Sequence, residues 1–149
     1  DGLRQVAEDA VLNANYLRVG LEGKYTMPYS GLCMHEVLCD DEFIKDTDIT
    51  TLDIAKTLID EGYHPMTIYF PLIAHGAMLI EPTETESRQT LDQFIKVLRA
   101  IADQISSGDS KRFHRAPLHA PRGRLDETRA ARRPNLRWKE STPTSPPRK

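Results

Sequence analysis

Met78-Leu79-Ile80-Glu81-Pro82-Thr83-Glu84-Thr85-Glu86-Ser87 is the stretch on which the fold turns, because a short apolar run meets a proline there and hands over to a helix start. Pro82 has no N–H to offer a sheet ladder and holds Glu81 extended, so a strand is expected to end at this point. Thr83 is then an expected N-cap, with Glu86 completing a Thr-x-x-Glu capping box. Beyond it Leu91, Phe94, Ile95, Leu98, Ala102 and Ile105 recur at helical spacing, which predicts an amphipathic helix over residues 84 to 106.

Working outward from that joint, Ala77 to Ile80 reads as a strand, Leu72 to Gly76 as a turn, and Met66 to Phe70 as a strand closed by Pro71. Two short strands this close in sequence suggest an antiparallel pair. Residues 50 to 61 predict a helix, with Thr50 as cap, Asp53 at the box position, Ile54, Ala55, Leu58 and Ile59 as its stripe and Gly62 as its end. Leu32 to Cys39 alternates as a strand should, and Asp40-Asp41-Glu42 reads as a solvated charge run. A first helix is expected over residues 4 to 18, with Val6, Ala10, Val11, Ala14 and Leu17 on one face and Gly20 as its stop. Asn13, Asn15 and Tyr16 lie beside that stripe, placed to hydrogen-bond a neighbour. The order helix, strand, helix, strand, strand, helix fits an α+β layer, a short antiparallel sheet with helices on one face.

A chain of 149 residues has room for one ordinary domain. It begins at Asp1 with no Met or apolar leader, and is expected to be a piece of something longer. No apolar run approaches the roughly 20 residues of a membrane-spanning helix, so a soluble chain is expected. The net charge of −2 hides an asymmetry: residues 1–108 carry 8 Lys and Arg against 18 Asp and Glu, whereas residues 109–149 carry 12 against 4. After Gly108 the periodicity stops, and 6 of the 10 prolines follow, so this part cannot offset its ordering entropy by itself. We expect a body over 1–108, an extended basic docking segment over 109–138 with a helical turn at Leu125 to Arg132, and a disordered end over 139–149. Such a segment folds back on its acidic body or onto another part of a larger protein. Phe113 and Trp138 are too few aromatics for a nucleic-acid arm.

Cys33 and Cys39 are too few for a four-ligand zinc site. On one strand they would stand roughly 20 Å apart, beyond the reach of a disulfide. Free thiols in a reducing compartment are expected, and no metal site. His35 and Glu36 are neighbours on an expected strand, so they point to opposite faces and cannot form one acid–base pair. With Thr83 and Glu84 they are the candidate cleft-facing residues. Glu81, Glu84 and Glu86 cluster near the helix start, where the dipole favours negative charge. His64 is expected as a helix-end partner and His75 as a turn residue. No Ser or Cys stands near a His at a spacing that would support a nucleophile, and there is no Gly-rich phosphate loop.

The wording of several blocks goes further than their periodicity. Ile80-Glu81-Pro82-Thr83-Glu84-Thr85-Glu86-Ser87 closely resembles a segment near the C-terminus of the glycine cleavage system P-protein family. So do Ala10-Val11-Leu12-Asn13-Ala14-Asn15-Tyr16, Cys33-Met34-His35-Glu36, Thr51-Leu52-Asp53-Ile54-Ala55-Lys56, and Gly62-Tyr63-His64-Pro65 leading to Tyr69-Phe70-Pro71-Leu72-Ile73. With Arg124-Leu125-Asp126-Glu127-Thr128-Arg129-Ala130-Ala131-Arg132, the blocks keep the family's order over about residues 8 to 138. The ending Arg129 to Trp138 resembles the cofactor-bearing subunit of bacterial forms made as two subunits.

That resemblance implies the C-terminal small domain of a fold type I enzyme, which closes one side of the cleft over pyridoxal phosphate. It implies a parent that decarboxylates glycine and passes the aminomethyl group to the lipoyl arm of the H-protein, with the cofactor as electron sink. It also implies a large domain and partner subunit as neighbours, on which Arg124, Arg129, Arg132 and Trp138 would dock. The place implied is the bacterial cytoplasm, or the mitochondrial matrix in a eukaryote. The family's Schiff-base lysine follows a histidine, and none of Lys24, Lys45, Lys56, Lys96, Lys111, Lys139 and Lys149 does so. No catalytic residue is therefore carried over, and this chain alone is expected to be inactive. The rival reading is a non-catalytic binding module, an acidic body whose basic tail grips a partner; a third is a small enzyme built on His35 and the acidic cluster.

Overall fold

The strand that Pro82 closes is the middle of the sheet. In a computed structural model, which describes residues 1–138, β3 (Met78–Ile80) lies between β1 (Val37–Cys39) and β2 (Thr67–Ile68), antiparallel to both. Val37 faces Ile80 and Cys39 faces Met78, while Thr67 faces Leu79. Val37, Cys39, Met78 and Ile80 are buried, so one face of the sheet enters the core as the alternation requires. β1 is shorter than the strand expected over 32–39. Its ladder stops at Val37 because the partner strand runs into Glu81-Pro82 beyond Ile80 and has no pairing to give.

Three helices build the rest of the body: α1 (Gly2–Leu21), α2 (Thr51–Asp60) and α3 (Arg88–Ser106). α2 starts as its sequence predicts, with the Thr50 side chain and the Asp53 carboxylate forming a reciprocal capping box. α3 does not start at Thr83. Its cap is Ser87, whose hydroxyl accepts from the Thr90 N–H at 3.2 Å, and Thr83 to Glu86 is instead a turn closed by Glu86 N–H to Thr83 C=O, 3.2 Å. The turn is pinned because the Asn13 amide donates to the carbonyls of both Thr83 and Glu86, at 3.0 and 3.1 Å. Nor is Gly20 a stop. α1 runs on to Leu21, and a Cβ at position 20 would strike Ile95 of α3, so this glycine permits close packing of the two helices. Leu17, Leu21, Ile54, Leu58, Leu98 and Ile101 join the sheet residues in a single core.

The core does not end at Gly108. Two short helices follow, α4 (Lys111–Arg115) and α5 (Glu127–Arg132), and Phe113 and Ala116 are fully buried. Residues 112–124 run back along α2 as a strap. Arg112 pairs with Glu61 just past its end, and the N–H groups of Leu118 and His119 donate to the Asp60 carboxylate at 2.7 Å. At the start of the helix, Arg124 pairs with Asp53. The basic segment thus folds onto its own acidic body as far as Arg124. From there to Trp138 nothing among the described residues covers it: α5 buries no residue, and Leu125, Leu136 and Trp138 are 68%, 88% and 85% exposed. The expected disordered end, 139–149, lies outside the described residues. Among those described, no helix is long and apolar enough to cross a membrane.

Candidate functional site

Antiparallel pairing gathers the candidate residues at one end of the sheet. Val37 faces Ile80, so the residues next in line, His35-Glu36 on one side and Glu81 on the other, leave the sheet together. Two asparagines of α1 fix these loops. Asn13 holds the Thr83–Glu86 turn, and Asn15 pairs with both polar groups of the Cys33 backbone, donating to its C=O at 2.7 Å and accepting its N–H at 3.0 Å. That amide stands in for the strand partner that Cys33 lacks. Tyr16 completes the motif by donating to Asp92 of α3.

Beside this end lies a groove of about 660 Å³ whose walls include His64, Met66, Glu81, Thr83, Glu86 and Phe94. Its floor is aromatic, with the Tyr63 and Phe94 rings 5.0 Å apart. Of the four candidate cleft residues, Thr83 lines the groove; His35, Glu36 and Glu84 do not, and His35 and Glu84 stand exposed outside it. His64 faces the groove, where a helix-end partner was expected. A rim of two carboxylates over an apolar floor suits a neutral or cationic group and repels a phosphate.

The opposite end of the sheet carries a different surface. Tyr69, at φ +58°, turns the chain out of β2 into Phe70-Pro71-Leu72-Ile73, where Phe70 is 56%, Leu72 89% and Ile73 79% exposed. The root of this loop is tied several times. Tyr69 N–H donates to Ala77 C=O at 2.7 Å, its hydroxyl accepts from the Leu52 N–H at 3.3 Å, and Thr51 Oγ1 donates to Gly76 C=O at 2.7 Å. His75 Nδ1 is 2.8 Å from the Asp41 carboxylate, which raises the His75 pKa above its ordinary value through that hydrogen bond first and its charge second. Asp41 therefore belongs to a pair, as does Asp40, which accepts from Thr26 Oγ1, and the charge run is only partly solvated. Gly76 has φ +54°, and a Cβ there would collide with Asp41.

Arg124 works inside the chain. Its guanidinium holds the Asp53 carboxylate, 4% exposed, and donates to the carbonyls of Ala116 at 2.9 Å and Phe113 at 3.0 Å. Arg124, expected to dock on a neighbour, thus locks the strap within this chain, whereas Arg129, Arg132 and Trp138 are exposed. Neither cysteine is disulfide-bonded, and burial, followed by the charge of Asp40, pushes the Cys39 thiol up to about 12, which leaves it inert. Sequence reasoning missed the apolar loop and the Asp53–Arg124 pair. Four large apolar residues in a segment read as strand end and turn were the signal for the first; nothing local announces a pair 71 positions apart.

The groove does not fit pyridoxal phosphate. No lysine among the described residues lines it, two carboxylates do, and Lys24 and Lys45 are taken up by Asp103 and Glu42. Comparison with known proteins gives the context. The family described as "Glycine dehydrogenase, C-terminal domain" matches residues 6–121. "Probable glycine dehydrogenase (decarboxylating) subunit 2" of Caulobacter vibrioides is 62% identical over 140 residues, 93% of this chain and 27% of that protein. Proteins of the same description from Shouchella clausii and Kosmotoga olearia are 51% and 48% identical, again over 93% of this chain and 28% and 29% of their own length. The chain thus spans little more than a quarter of the curated relatives it matches, and it belongs to the glycine dehydrogenase C-terminal domain family.

Proposed function

We propose that this chain is the C-terminal small domain of a fold type I, pyridoxal-phosphate-dependent glycine decarboxylase, the cofactor-bearing subunit of a two-subunit P-protein. The carrying observation is the 62% identity to a protein described as glycine dehydrogenase (decarboxylating) subunit 2, over 93% of the chain. The parent would release carbon dioxide from glycine and hand the aminomethyl group to the lipoyl arm of the H-protein, in the bacterial cytoplasm. The cofactor, when bound, supplies the electron sink. It would sit on the part of the protein outside this chain, because the groove here repels a phosphate.

On this reading the domain packs against the rest of the enzyme, and the arm from Leu125 to Trp138 docks on the large domain or partner subunit rather than on nucleic acid. Leu125, Leu136 and Trp138 would give that arm its apolar anchors, and Arg129 and Arg132 directional contacts to carboxylates. The test is glycine–bicarbonate exchange by the full-length subunit with its partner, H-protein and pyridoxal phosphate, alongside this chain alone under the same conditions. Exchange by the first and none by the second is expected. Turnover by the isolated chain, or none by the full assembly, would overturn the reading.

A further inference from the structure

We infer that the loop Tyr69–Ile73 is a preset apolar plug, seated in the portion of the protein that precedes this domain in its longer relatives. The inference rests on the reading that the chain is one part of such a protein. Four large apolar residues within five positions stand 48–89% exposed, a density that isolated surface apolar residues do not reach. They are not floppy. Tyr69 is held in the left-handed region, which a tyrosine enters only when its surroundings impose it, and here the Ala77 carbonyl, the Leu52 N–H, the Thr51 hydroxyl and the Asp41–His75 pair surround the loop root. A structure that constrains its backbone to present Phe70, Leu72 and Ile73 outward has paid the ordering cost of binding in advance.

The chemistry of the loop selects the occupant. From Tyr69 to Ala74 there is no charged side chain, so the loop itself would enter a neutral surface, while the Asp41–His75 pair stands at its root. Uncharged apolar patches belong to permanent interfaces, which resemble a core cut in two. The permanent neighbour at hand is the remainder of the same polypeptide, since the chain accounts for only 27% of the length of its Caulobacter vibrioides relative. The first turns of α1 are also exposed, with Leu3 at 89%. The receiving surface is therefore an apolar recess without buried charge.

The test uses the full-length subunit carrying Leu72→Cys, with Ile73→Cys as a second variant. Modification by a maleimide is followed peptide by peptide in the mass spectrometer, so that native thiols do not interfere. In the native protein the introduced thiol should react about a hundredfold more slowly than in the urea-unfolded protein, the protection given by a surface that opens less than one time in a hundred. Tenfold dilution should leave that protection unchanged. Reaction within a few-fold of the unfolded rate at both positions would overturn the inference, as would protection that fades on dilution, which would assign the plug to a second copy or a transient partner. The readout does not involve glycine turnover, so failure of the proposed activity and failure of the plug are separate results.

Discussion

Replacing Arg124 by alanine removes three interactions at once: the pair with Asp53 and the hydrogen bonds to the carbonyls of Ala116 and Phe113. The Asp53 carboxylate is 4% exposed and, among the described residues, keeps the Thr50 N–H and hydroxyl as donors, 2.8 and 2.6 Å away, with His114 Nδ1 3.9 Å from it. Breaking a buried pair from one side costs about 3–5 kcal/mol, and hydrogen bonds to a charged donor about 1.5–3. The Arg124 side chain is 34% exposed, so water screens part of this, and about 3 kcal/mol is the expected loss. With a urea slope of about 2 kcal/mol per molar, the midpoint should fall by about 1.5 M in circular dichroism of the 149-residue chain. Asp53→Asn keeps an acceptor for Thr50, so a double-mutant cycle with Arg124→Ala isolates the ion pair, at about 1–2 kcal/mol of coupling. A loss under about 0.5 kcal/mol for Arg124→Ala, the level of an ordinary surface change, would show that the strap is not held at this point.

Three further outcomes follow from particular contacts. Ser87→Ala should cost about 1 kcal/mol in thermal or urea unfolding and Thr83→Ala clearly less, because the cap of α3 is Ser87; the reverse order would restore the earlier helix start. Gly76→Ala should cost about 2 kcal/mol or more, since it combines a left-handed backbone with a collision, and adding Asp41→Ala should recover part of that loss; no recovery would clear Asp41 of the clash. His75 has a folded pKa raised above 6.5, so its tie to Asp41 contributes fully below that value and is lost as the pH rises through the folded pKa. An NMR titration should give a midpoint above 6.5, with faster amide exchange in the loop on the alkaline side that His75→Gln abolishes; a midpoint at or below 6.5 would refute the pairing.

Much of the architecture was legible because it is local. The proline after β3, the Thr50–Asp53 box and the stripes of α2 and α3 are short-range patterns, and the order of elements follows from them. What escaped depended on distant partners. Thr83-x-x-Glu86 has the letters of a capping box, yet Asn13, 70 residues upstream, takes its carbonyls and moves the helix start to Ser87. Leu32 to Glu36 alternates like a strand but has no ladder to join, because Pro82 cut the partner short. Phe113 lies in a proline-rich, basic stretch that reads as an arm, and only α2 beneath it explains why it is buried. Of the candidate site, Thr83 reached the groove, while Arg124 turned inward and His35 and Glu84 stayed outside.

The Asn15 amide also bears on how this chain behaves among its own copies. Short sheets end in backbone groups with no mate, and such open edges are where identical chains add to one another and precipitate. Here the stretch before β1 carries Leu32 and Met34, 88% and 72% exposed, a composition that invites edge-to-edge growth. Asn15 occupies both the N–H and the C=O of Cys33 between them, so an incoming strand finds that rung already taken. A side-chain amide from α1 thus occupies the backbone groups that an added strand would need at this position.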